Sequence, residues 1–397
     1  MQKLTLKDLD LKGKRVLMRV DFNVPQDATG RITDDSKIRA SLPSIRYVLE
    51  QGASLILMSH LGRPKQPDPK LSLAPCAKRL SELLGKQVDM TEDCIGPATE
   101  KKAGELKPGQ ILMLENVRFH PGEVEPEKEP NFVSSLAKLG QIYVNDAFGT
   151  AHRAHASTAL IAKYFPGKAA AGFLMEQEIR YLEPLAHNPN RPFFAMIGGA
   201  KISTKVGVIH NLIKQVDALF LGGGMAFTFL KAQGIAIGKS LCEEAEVKTA
   251  KEILANVKRL YLPKDLVIAD AFSNDAQRKI IRTQQGIPPG WQGMDIGPET
   301  IQEWSAALKQ GATIFWNGPL GVFEMPHFAQ GTRAIAETLA SCQAEVVVGG
   351  GDSVAAIQQM GLADQFAHLS TGGGASLEFL EYGHLPGIDA LSNQNCN

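Results

Sequence analysis

Residues 345–353 read EVVVGGGDS, a short β-branched run that passes directly into three glycines. A run of this kind predicts a buried strand, and the glycines mark the turn that follows it. Similar runs recur along the 397 residues and are separated by longer stretches with helical spacing. This alternation predicts βα units and parallel sheets, which is an α/β fold. The predicted strands are Val16–Val20, Leu55–Met58, Ile111–Leu114, Ile142–Val144, Phe193–Ile197, Ala218–Leu221, Leu266–Ala269, Thr313–Trp316, Glu345–Val348 and Phe366–Leu369.

The number of strands favours two doubly wound, Rossmann-like domains over a single one. A chain of this length holds about two to three domains of about 150 residues each. Apolar residues from Met175 to Ala186 repeat at helical spacing, and Pro184 and Pro189 are expected to end that helix. We therefore expect a linking helix between two sheets. The predicted parts are a first domain of residues 1–172, the linking helix of 173–188 and a second domain of 189–375.

Charge and cysteine content restrict the class of protein. The 42 basic and 42 acidic residues cancel, so no overall field attracts nucleic acid or a membrane, and an anion site must be local. No stretch approaches the roughly 18 apolar residues of a membrane span, and Lys3 and Asp8 do not fit a signal peptide. The five cysteines are far apart and are interpreted as reduced thiols. A cytoplasmic enzyme is the expectation.

Arginine and histidine follow the strands of the first half. In open parallel sheets, ligands bind beyond the carboxyl ends of the strands, so these residues are expected to converge on one edge. The planar guanidinium group of arginine can donate two parallel hydrogen bonds to a phosphate or a carboxylate group. A cluster of arginines therefore suits a small ligand that carries both groups. The alternative is that each arginine, taken alone, forms an ordinary surface ion pair. The segments concerned are Asp21–Asn23, His60–Arg63, Glu115–Arg118 and Ala147–Arg153.

Glycine follows the strands of the second half. Glycine lets the backbone approach a phosphate closely, and the N–H groups at the start of the next helix point at the anion. The pattern therefore predicts a nucleotide site, although ordinary tight turns are the alternative for any single glycine pair. The segments concerned are Gly198–Lys201, Gly222–Gly224, Asn317–Pro319, Gly349–Ser353 and Thr371–Gly374.

Four charged residues lie in or near these glycine segments. Lys201 is expected to reach a phosphate, with Lys205 one helical turn later on the same face; solvated helix lysines are the alternative. Asp352 suits Mg²⁺ that bridges nucleotide phosphates, because magnesium prefers one or two carboxylates together with phosphate oxygens. The alternative is that Asp352 caps the N-terminus of a helix. Glu324 is a candidate acceptor for ribose hydroxyls, or else a surface carboxylate.

A basic half for a small acid and a glycine-rich half for a nucleotide together predict an enzyme that transfers a phosphoryl group between the two. Two other classes of function are alternatives to it. A nicotinamide-dependent (NAD) dehydrogenase also uses two α/β domains, but no Gly-x-Gly-x-x-Gly segment follows the first strand. A non-catalytic binding protein for an anionic metabolite is the other alternative.

Short strings of residues spread over essentially the whole chain together resemble the phosphoglycerate kinase family. The resemblance implies reversible, Mg²⁺-dependent phosphoryl transfer from 1,3-bisphosphoglycerate to ADP, which gives 3-phosphoglycerate and ATP in glycolysis. It also implies a monomer whose C-terminal stretch, 376–397, returns to complete the first domain. The strings that carry the resemblance are Arg19–Pro25, Ser59–Pro64, Glu115–Phe119, Asp146–Ser157, Gly198–Lys205, Trp316–Glu324, Gly349–Ser353 and Ser370–Ser376.

The resemblance also implies which residues form the sites. The acid substrate would contact Asp21, Phe22, Asn23, Lys37, His60, Leu61, Gly62, Arg63, Arg118, Thr150 and Arg153. The nucleotide would contact Gly199, Lys201, Lys205, Gly222, Gly223, Gly293, Asn317, Glu324, Gly350, Gly351, Asp352 and Ser353, with Mg²⁺ at Asp352. Catalysis is assigned to Lys37, Arg39, Lys201, Lys205, Gly350 and Gly373.

One position departs from the family pattern. The family normally has a catalytic arginine where this chain has Lys37. Lysine keeps the charge and loses the planar fork, so either Lys37 acts as a single donor or Arg39 takes part of the role. The sequence leaves both alternatives open.

Phosphoryl transfer needs in-line positioning and positive charge rather than a protein nucleophile, so we expect direct transfer. The two half-sites are assigned to different domains, so we also expect hinge motion that closes the domains before transfer.

We predict that Arg63→Ala lowers kcat/KM for 3-phosphoglycerate by several kcal/mol in transition-state free energy, because it removes a charged partner of a bound anion. Steady-state kinetics would measure this. Kinetics equal to those of the parent chain would remove Arg63 from the site.

Overall fold

The computed structural model describes residues 2–394. It divides into two compact units: the first runs to Arg180 and resumes at His384, and the second is Tyr181–Gly383. The first unit holds strands β1 (Arg15–Arg19), β2 (Ser54–Met58), β3 (Val88–Met90), β4 (Ile111–Met113), β5 (Ile142–Asn145) and β6 (Ala169–Ala171). The second holds β7 (Phe193–Ile197), β8 (Ala218–Leu221), β9 (Leu260–Tyr261), β10 (Asp265–Ala269), β11 (Arg278–Arg282), β12 (Gln292–Ile296), β13 (Thr313–Asn317), β14 (Glu345–Gly349) and β15 (His368–Leu369).

Helices alternate with the strands in both units. The α-helices are α1 (Ser36–Glu50), α2 (Ala74–Leu84), α3 (Pro97–Gly104), α4 (Phe132–Ala137), α5 (Phe173–His187), α6 (Val206–Gln215), α7 (Ala226–Ala232), α8 (Val247–Asn256), α9 (Pro298–Leu308), α10 (Gln330–Ala340), α11 (Gly351–Gln359), α12 (Gly374–Tyr382) and α13 (Pro386–Asp389). Short 3₁₀ helices span Leu6–Asp8, Pro69–Leu71, Val117–Phe119, Pro121–Glu123, Pro126–Lys128, Phe148–Thr150, Leu160–Tyr164, Glu244–Glu246, Thr283–Gln285, Pro326–Phe328 and Ala363–Gln365.

Each unit is built on a six-stranded parallel sheet, as the sequence predicted. The strand order is β3-β4-β2-β1-β5-β6 in the first and β15-β14-β13-β7-β8-β9 in the second. The central strands are buried on both faces, which is why they appear in the sequence as continuous apolar runs. Strand order reverses between β1 and β5 in the first sheet and between β7 and β13 in the second. Such reversals open a crevice at the carboxyl ends of the strands, where ligands bind in folds of this class.

A third sheet was not foreseen. The predicted strand Leu266–Ala269 does form, but it lies in a three-stranded antiparallel sheet with β11 and β12, not in the parallel sheet. Its neighbours lack the apolar signal: β11 reads RKIIR, and β12 contains Gly293 and Asp295. Periodicity alone therefore assigned this strand to the wrong sheet. The short strands β3, β6 and β9 were also missed.

The linking helix forms as α5, and Pro184 lies inside it instead of ending it. The amide of Asn188 still donates to the carbonyl of Pro184 at 2.9 Å, so the helical turn continues past the proline. The boundary between the two compact units, at Arg180 and Tyr181, lies within this helix.

The C-terminal segment packs on the first unit from His384 onward. The amide of Leu4 donates to the carbonyl of Ser392 at 2.8 Å, and the amide of Ser392 donates to the carbonyl of Ala169 at 2.9 Å. The preceding helix α12 belongs to the second unit, where Asn211 Nδ2 donates to the carbonyl of Leu380 at 2.6 Å. The return thus begins about eight residues after Ser376. Residues 395–397 of the predicted return lie outside the described residues.

The described residues include four of the five cysteines. Cys76, Cys94, Cys242 and Cys342 are free thiols, and Cys396 lies outside the described residues. Within residues 2–394, no helix is both long enough and apolar enough to cross a lipid bilayer.

The side chain of Lys3 fastens the returning segment. Its buried Nζ donates to the carbonyls of Asp389 and Leu391, each at 2.9 Å. We predict that Lys3→Met lowers the free energy of unfolding by about 1–3 kcal/mol, because two carbonyls lose a charged donor while the apolar stem is kept. Urea denaturation would measure the loss. Lys12→Met, at an exposed position, is the matched control, and an equal loss in both variants would contradict the prediction.

Candidate active site

The loops after β1 and β2 are joined at the carboxyl edge of the first sheet, next to the reversal point. The amide of Phe22 donates to Ser59 Oγ at 2.8 Å, and the amide of Gly62 donates to Asn23 Oδ1 at 2.9 Å. These bonds hold Asp21, Asn23 and Gly62 at one edge. The strand-end segments predicted to converge there therefore do so for these two loops.

Lys37, in the first turn of α1, reaches the same edge. Its Nζ donates to Asp21 Oδ2 at 2.8 Å. Burial opposes ionisation of Asp21, but the positive charge and hydrogen bond of Lys37 outweigh it and lower the pKa of this carboxyl below its usual value. Arg39 instead pairs with Asp35 at 2.8 Å, and Arg79 contacts the same carboxylate. Of the two candidate cations, only Lys37 contacts the Asp21 edge.

The arginines of this edge crowd one another. Arg118 NH1 donates to the carbonyl of Gly62 at 2.7 Å, whereas its buried Nε has no partner. Burial first, and then the neighbouring cations Arg19 and Arg63, lower the pKa of Arg118. Arg63 is exposed. An unpaired buried N–H and mutually repelling guanidinium groups are the features of an edge that would be stabilised by an anion.

The loop after β5 adds further positive charge. Burial, together with Arg118, Arg19 and Arg153, lowers the pKa of His155 to about 4. Arg153 is exposed, and its amide donates to the carbonyl of Thr150 at 3.0 Å. The hydroxyl of Thr150 donates to the carbonyl of Ala147 at 3.0 Å. Arg153 therefore joins the same electropositive region.

Two predicted contact residues have their side chains elsewhere. Phe22 and Leu61 pack in the hydrophobic core of the first unit. The amide of Phe22 is already used by Ser59, and the carbonyl of Leu61 accepts from Asn116 Nδ2 at 2.8 Å. Their observed contacts support the loops that carry Asp21, Asn23 and Gly62.

Sequence reasoning missed the buried polar residues behind this edge. Arg19, Asn116, Glu123 and Ser157 are fully buried and hydrogen bonded. A signal existed for Arg19, because a charged residue inside the run Val16–Val20 interrupts an otherwise apolar strand. Buried charged residues are rare unless they are paired, so such an interruption marks a polar network.

Glycine segments meet at the reversal point of the second sheet and line a pocket of about 360 Å³, which is called the polar pocket here because Lys201, Lys205, Asn317 and Asp352 also line it. The predicted residues that line it are Gly199, Lys201, Lys205, Asn317, Gly350, Gly351, Asp352, Ser353 and Gly373. Gly222 does not line it and lies against the side chain of Leu320. Nine of the residues singled out from the sequence therefore line one pocket.

Lys205 occupies the floor of the polar pocket, but not as the sequence suggested. Helix α6 begins at Val206, so Lys201 and Lys205 lie in the turn before it and not on one helical face. Lys205 Nζ donates to the carbonyls of Gly198 at 2.6 Å and Asn317 at 3.2 Å. Burial lowers the pKa of Lys205 to about 8, against the attraction of Asp352.

Asn317 and Gly350 shape the part of the pocket next to Lys205. Asn317 Nδ2 is buried without a partner. Gly350 has φ +91°, and a Cβ placed there would lie 2.9 Å from that nitrogen. Glycine is therefore required both by the backbone conformation and by the space beside the amide. A free donor beside bare backbone fits a phosphate oxygen.

Asp352 and Ser353 lie in the first turn of helix α11. Gly350 is the N-cap residue, and no side chain makes a capping hydrogen bond there, so the N-cap alternative for Asp352 is wrong. The Asp352 carboxylate is exposed at the pocket, as a metal ligand requires. The buried hydroxyl of Ser353 accepts from the amide of Gly318 at 2.6 Å, which holds the neighbouring glycine segment.

A larger, mostly apolar cavity of about 690 Å³ adjoins the polar pocket and shares Gly199 and Asp352 with it. Gly223, Gly293 and Glu324 line it as predicted. A Cβ at Gly293 would collide with the ring of Phe227, so this glycine lets Phe227 pack at the cavity wall. The apolar lining residues that the sequence analysis did not single out include Phe227, Leu241 and Met294.

Comparisons with known proteins agree with this geometry. A family model described as phosphoglycerate kinase matches residues 6–383. Proteins named phosphoglycerate kinase from Chloroflexus aurantiacus and Moorella thermoacetica are 56% and 54% identical, over 99% of this chain and 100% of each relative. A protein named cytosolic phosphoglycerate kinase from Nicotiana tabacum is 52% identical over 98% of both chains.

Solved structures give the same result. The phosphoglycerate kinase of Coxiella burnetii superposes with a TM-score of 0.88 at 42% identity, over 98% of both chains. That of Pyrococcus horikoshii superposes with a TM-score of 0.84 at 33% identity over the same shares. Both the family model and the relatives extend across the two units, so the chain belongs to the phosphoglycerate kinase family.

Proposed function

We propose that the chain catalyses reversible phosphoryl transfer from 1,3-bisphosphoglycerate to ADP, which gives 3-phosphoglycerate and ATP. Family membership supports the reaction. One observation carries the proposal: each unit has a candidate binding edge at the carboxyl ends of its own parallel strands. This edge is cationic in the first unit and glycine-rich in the second. The dehydrogenase and binding-protein alternatives receive no support from the relatives.

The acid substrate binds at the cationic edge of the first unit. Arg63, Arg118 and Arg153 supply guanidinium donors for phosphate and carboxylate oxygens. Asp21 and Asn23 accept from a hydroxyl. Neutralising the repulsion among the guanidinium groups is a favourable part of binding.

The nucleotide binds in the two adjoining cavities of the second unit. The apolar cavity has the size and lining of a site for a base and ribose, with Glu324 as acceptor for ribose hydroxyls. The polar pocket takes the phosphates, with Lys201, Lys205 and Asn317 as donors. Asp352 would hold Mg²⁺, which neutralises phosphate charge when it is bound.

Transfer is direct and needs no covalent intermediate on the protein. The protein holds the two reactants in line and places cations around the transferred oxygens. In this proposal Lys37 takes the role of the family's usual arginine, because its ammonium already contacts the substrate edge through Asp21. Arg39 supports α1 through Asp35 instead. A cytoplasmic location, supported by the cytosolic relative, and a monomeric state complete the proposal.

The activity is tested by following ADP formation from ATP with and without 3-phosphoglycerate. We expect turnover only when 3-phosphoglycerate and Mg²⁺ are both present. ATP consumption that does not depend on 3-phosphoglycerate, or no turnover at all, would reject the proposal.

We predict opposite outcomes for the two candidate cations. Lys37→Ala should lower kcat by about 10²–10³, because it removes a charge that stabilises the transferred oxygens. Arg39→Ala should change the transition-state free energy, calculated from kcat/KM, by less than about 1 kcal/mol, since it breaks an exposed ion pair. Kinetics of both variants, with Lys37→Arg as the family-like control, would measure this. A larger defect in Arg39→Ala than in Lys37→Ala would reverse the assignment.

We predict that ADP affinity falls as pH rises through about 8, because Lys205 loses its positive charge there in the free enzyme. Bound phosphate favours the charged form, so ADP binding above pH 8 should take up a proton. Calorimetry in buffers of different ionisation enthalpy would detect that uptake. Lys205→Arg stays charged, so its affinity should not follow this pH dependence; a parallel dependence in both proteins would point to another group.

A further inference from the structure

A fully buried arginine lies directly behind the cationic edge. Arg19 is the last residue of β1. Its Nε donates to Ser157 Oγ at 2.8 Å, its NH2 contacts His60 Nδ1 at 3.0 Å, and its NH1 donates to the carbonyl of Val20. Because all three nitrogens of the guanidinium are engaged, the group is fixed in one orientation.

A buried carboxylate anchors this arginine from the other side. Ser157 Oγ donates to Glu123 Oε1 at 2.7 Å, and the amide of Ser157 donates to Glu123 Oε2 at 2.9 Å. Glu123 is fully buried; burial raises its pKa, and the positive charge of Arg19 opposes that rise. Moving Arg19 out of place would leave charged groups buried without partners, which costs several kcal/mol.

The contact between Arg19 and His60 determines the tautomer of the imidazole. A guanidinium has only N–H donors, so His60 Nδ1 must accept the hydrogen bond and cannot carry a proton. Burial first, and then Arg19, hold the pKa of His60 well below its usual value, so the ring is neutral. Its single proton is therefore on Nε2.

That proton is available to a ligand. Among residues 2–394, Nε2 of His60 has no hydrogen-bond partner, and it is not one of the sealed, unpaired atoms such as Arg118 Nε. His60 as a whole residue is only 3% exposed, so little besides this end of the ring can meet solvent or a substrate. The residue thus offers one neutral donor with a fixed direction among several cations.

We propose that Arg19 is a positioning residue that fixes His60 as an Nε2–H donor to an oxygen of the acid substrate. Glu123 and Ser157 hold Arg19 in place and take no part in binding. The inference rests on the proposed function, because it assumes that the acid binds at this edge. It assigns a role to Arg19, Glu123 and Ser157, which contact no ligand but determine which nitrogen of His60 donates to one.

The tautomer is tested without substrate. Long-range ¹H–¹⁵N spectra of ¹⁵N-histidine-labelled protein distinguish the two ring nitrogens, and His60→Gln assigns the signal. We expect unprotonated Nδ1 and protonated Nε2 in the parent chain and in Tyr143→Phe, a buried control that loses hydrogen bonds to the carbonyls of Ser157 and Thr158. The double variant Arg19→Met/Glu123→Gln removes the donor together with its counter-charge, and we expect a mixture of tautomers there.

Three spectra would overturn the inference: a proton on Nδ1 of the parent chain, a parent-like tautomer in the double variant, or the same mixture in Tyr143→Phe. Glu123→Gln alone keeps Arg19 and should keep the tautomer. This readout does not depend on activity, so it stands even if the parent chain fails to bind 3-phosphoglycerate, a result that would reject the proposed function instead.

A second measurement leaves Arg19 unchanged. A glutamine amide can place its N–H near the position of Nε2, whereas an asparagine amide reaches only the position of Nδ1. We therefore expect His60→Gln to bind 3-phosphoglycerate about tenfold more tightly than His60→Asn, with equal ADP affinity in both. Calorimetric titration would measure the difference. Equal 3-phosphoglycerate affinity, or tighter binding by His60→Asn, would contradict the inference.

Discussion

All strands of a parallel sheet end at the same edge, and both units depend on this constraint. It brings Asp21, Gly62 and Arg118 together although they are separated by almost a hundred positions in the chain. In the second sheet it brings the carbonyls of Gly198 and Asn317 to the same ammonium group of Lys205. The chemistry of each edge then depends only on which residues follow the strands.

The two edges use this shared geometry in opposite electrostatic ways. In the first unit, side-chain cations are crowded until burial and mutual repulsion lower the pKa of Arg118. In the second, bare backbone and the unpaired amide of Asn317 leave room for an anion to approach closely. Under the proposed function, a small acid would meet guanidinium groups, and a polyphosphate would meet mainly main-chain and amide donors.

The sequence predicted the parallel sheets because their strands are buried on both faces and appear as apolar runs. It also predicted that the glycine segments of the second unit meet at one edge, because parallel strands end together there. It misplaced Leu266–Ala269, since the strands that pair with it carry charge and glycine rather than an apolar pattern. It could not choose between Lys37 and Arg39, because only the direction of each side chain from α1 separates them. The buried partners of Arg19 come from distant segments and have no local signature.

The returning C-terminal segment affects the order in which the parts of the fold are completed. Residues 384–394 supply backbone partners to Leu4 and Ala169, which are synthesised long before them. Because translation runs from the N-terminus, the second unit has been synthesised in full before the first receives its last segment. The half of the protein that is synthesised first is therefore the half whose last backbone partners are synthesised last.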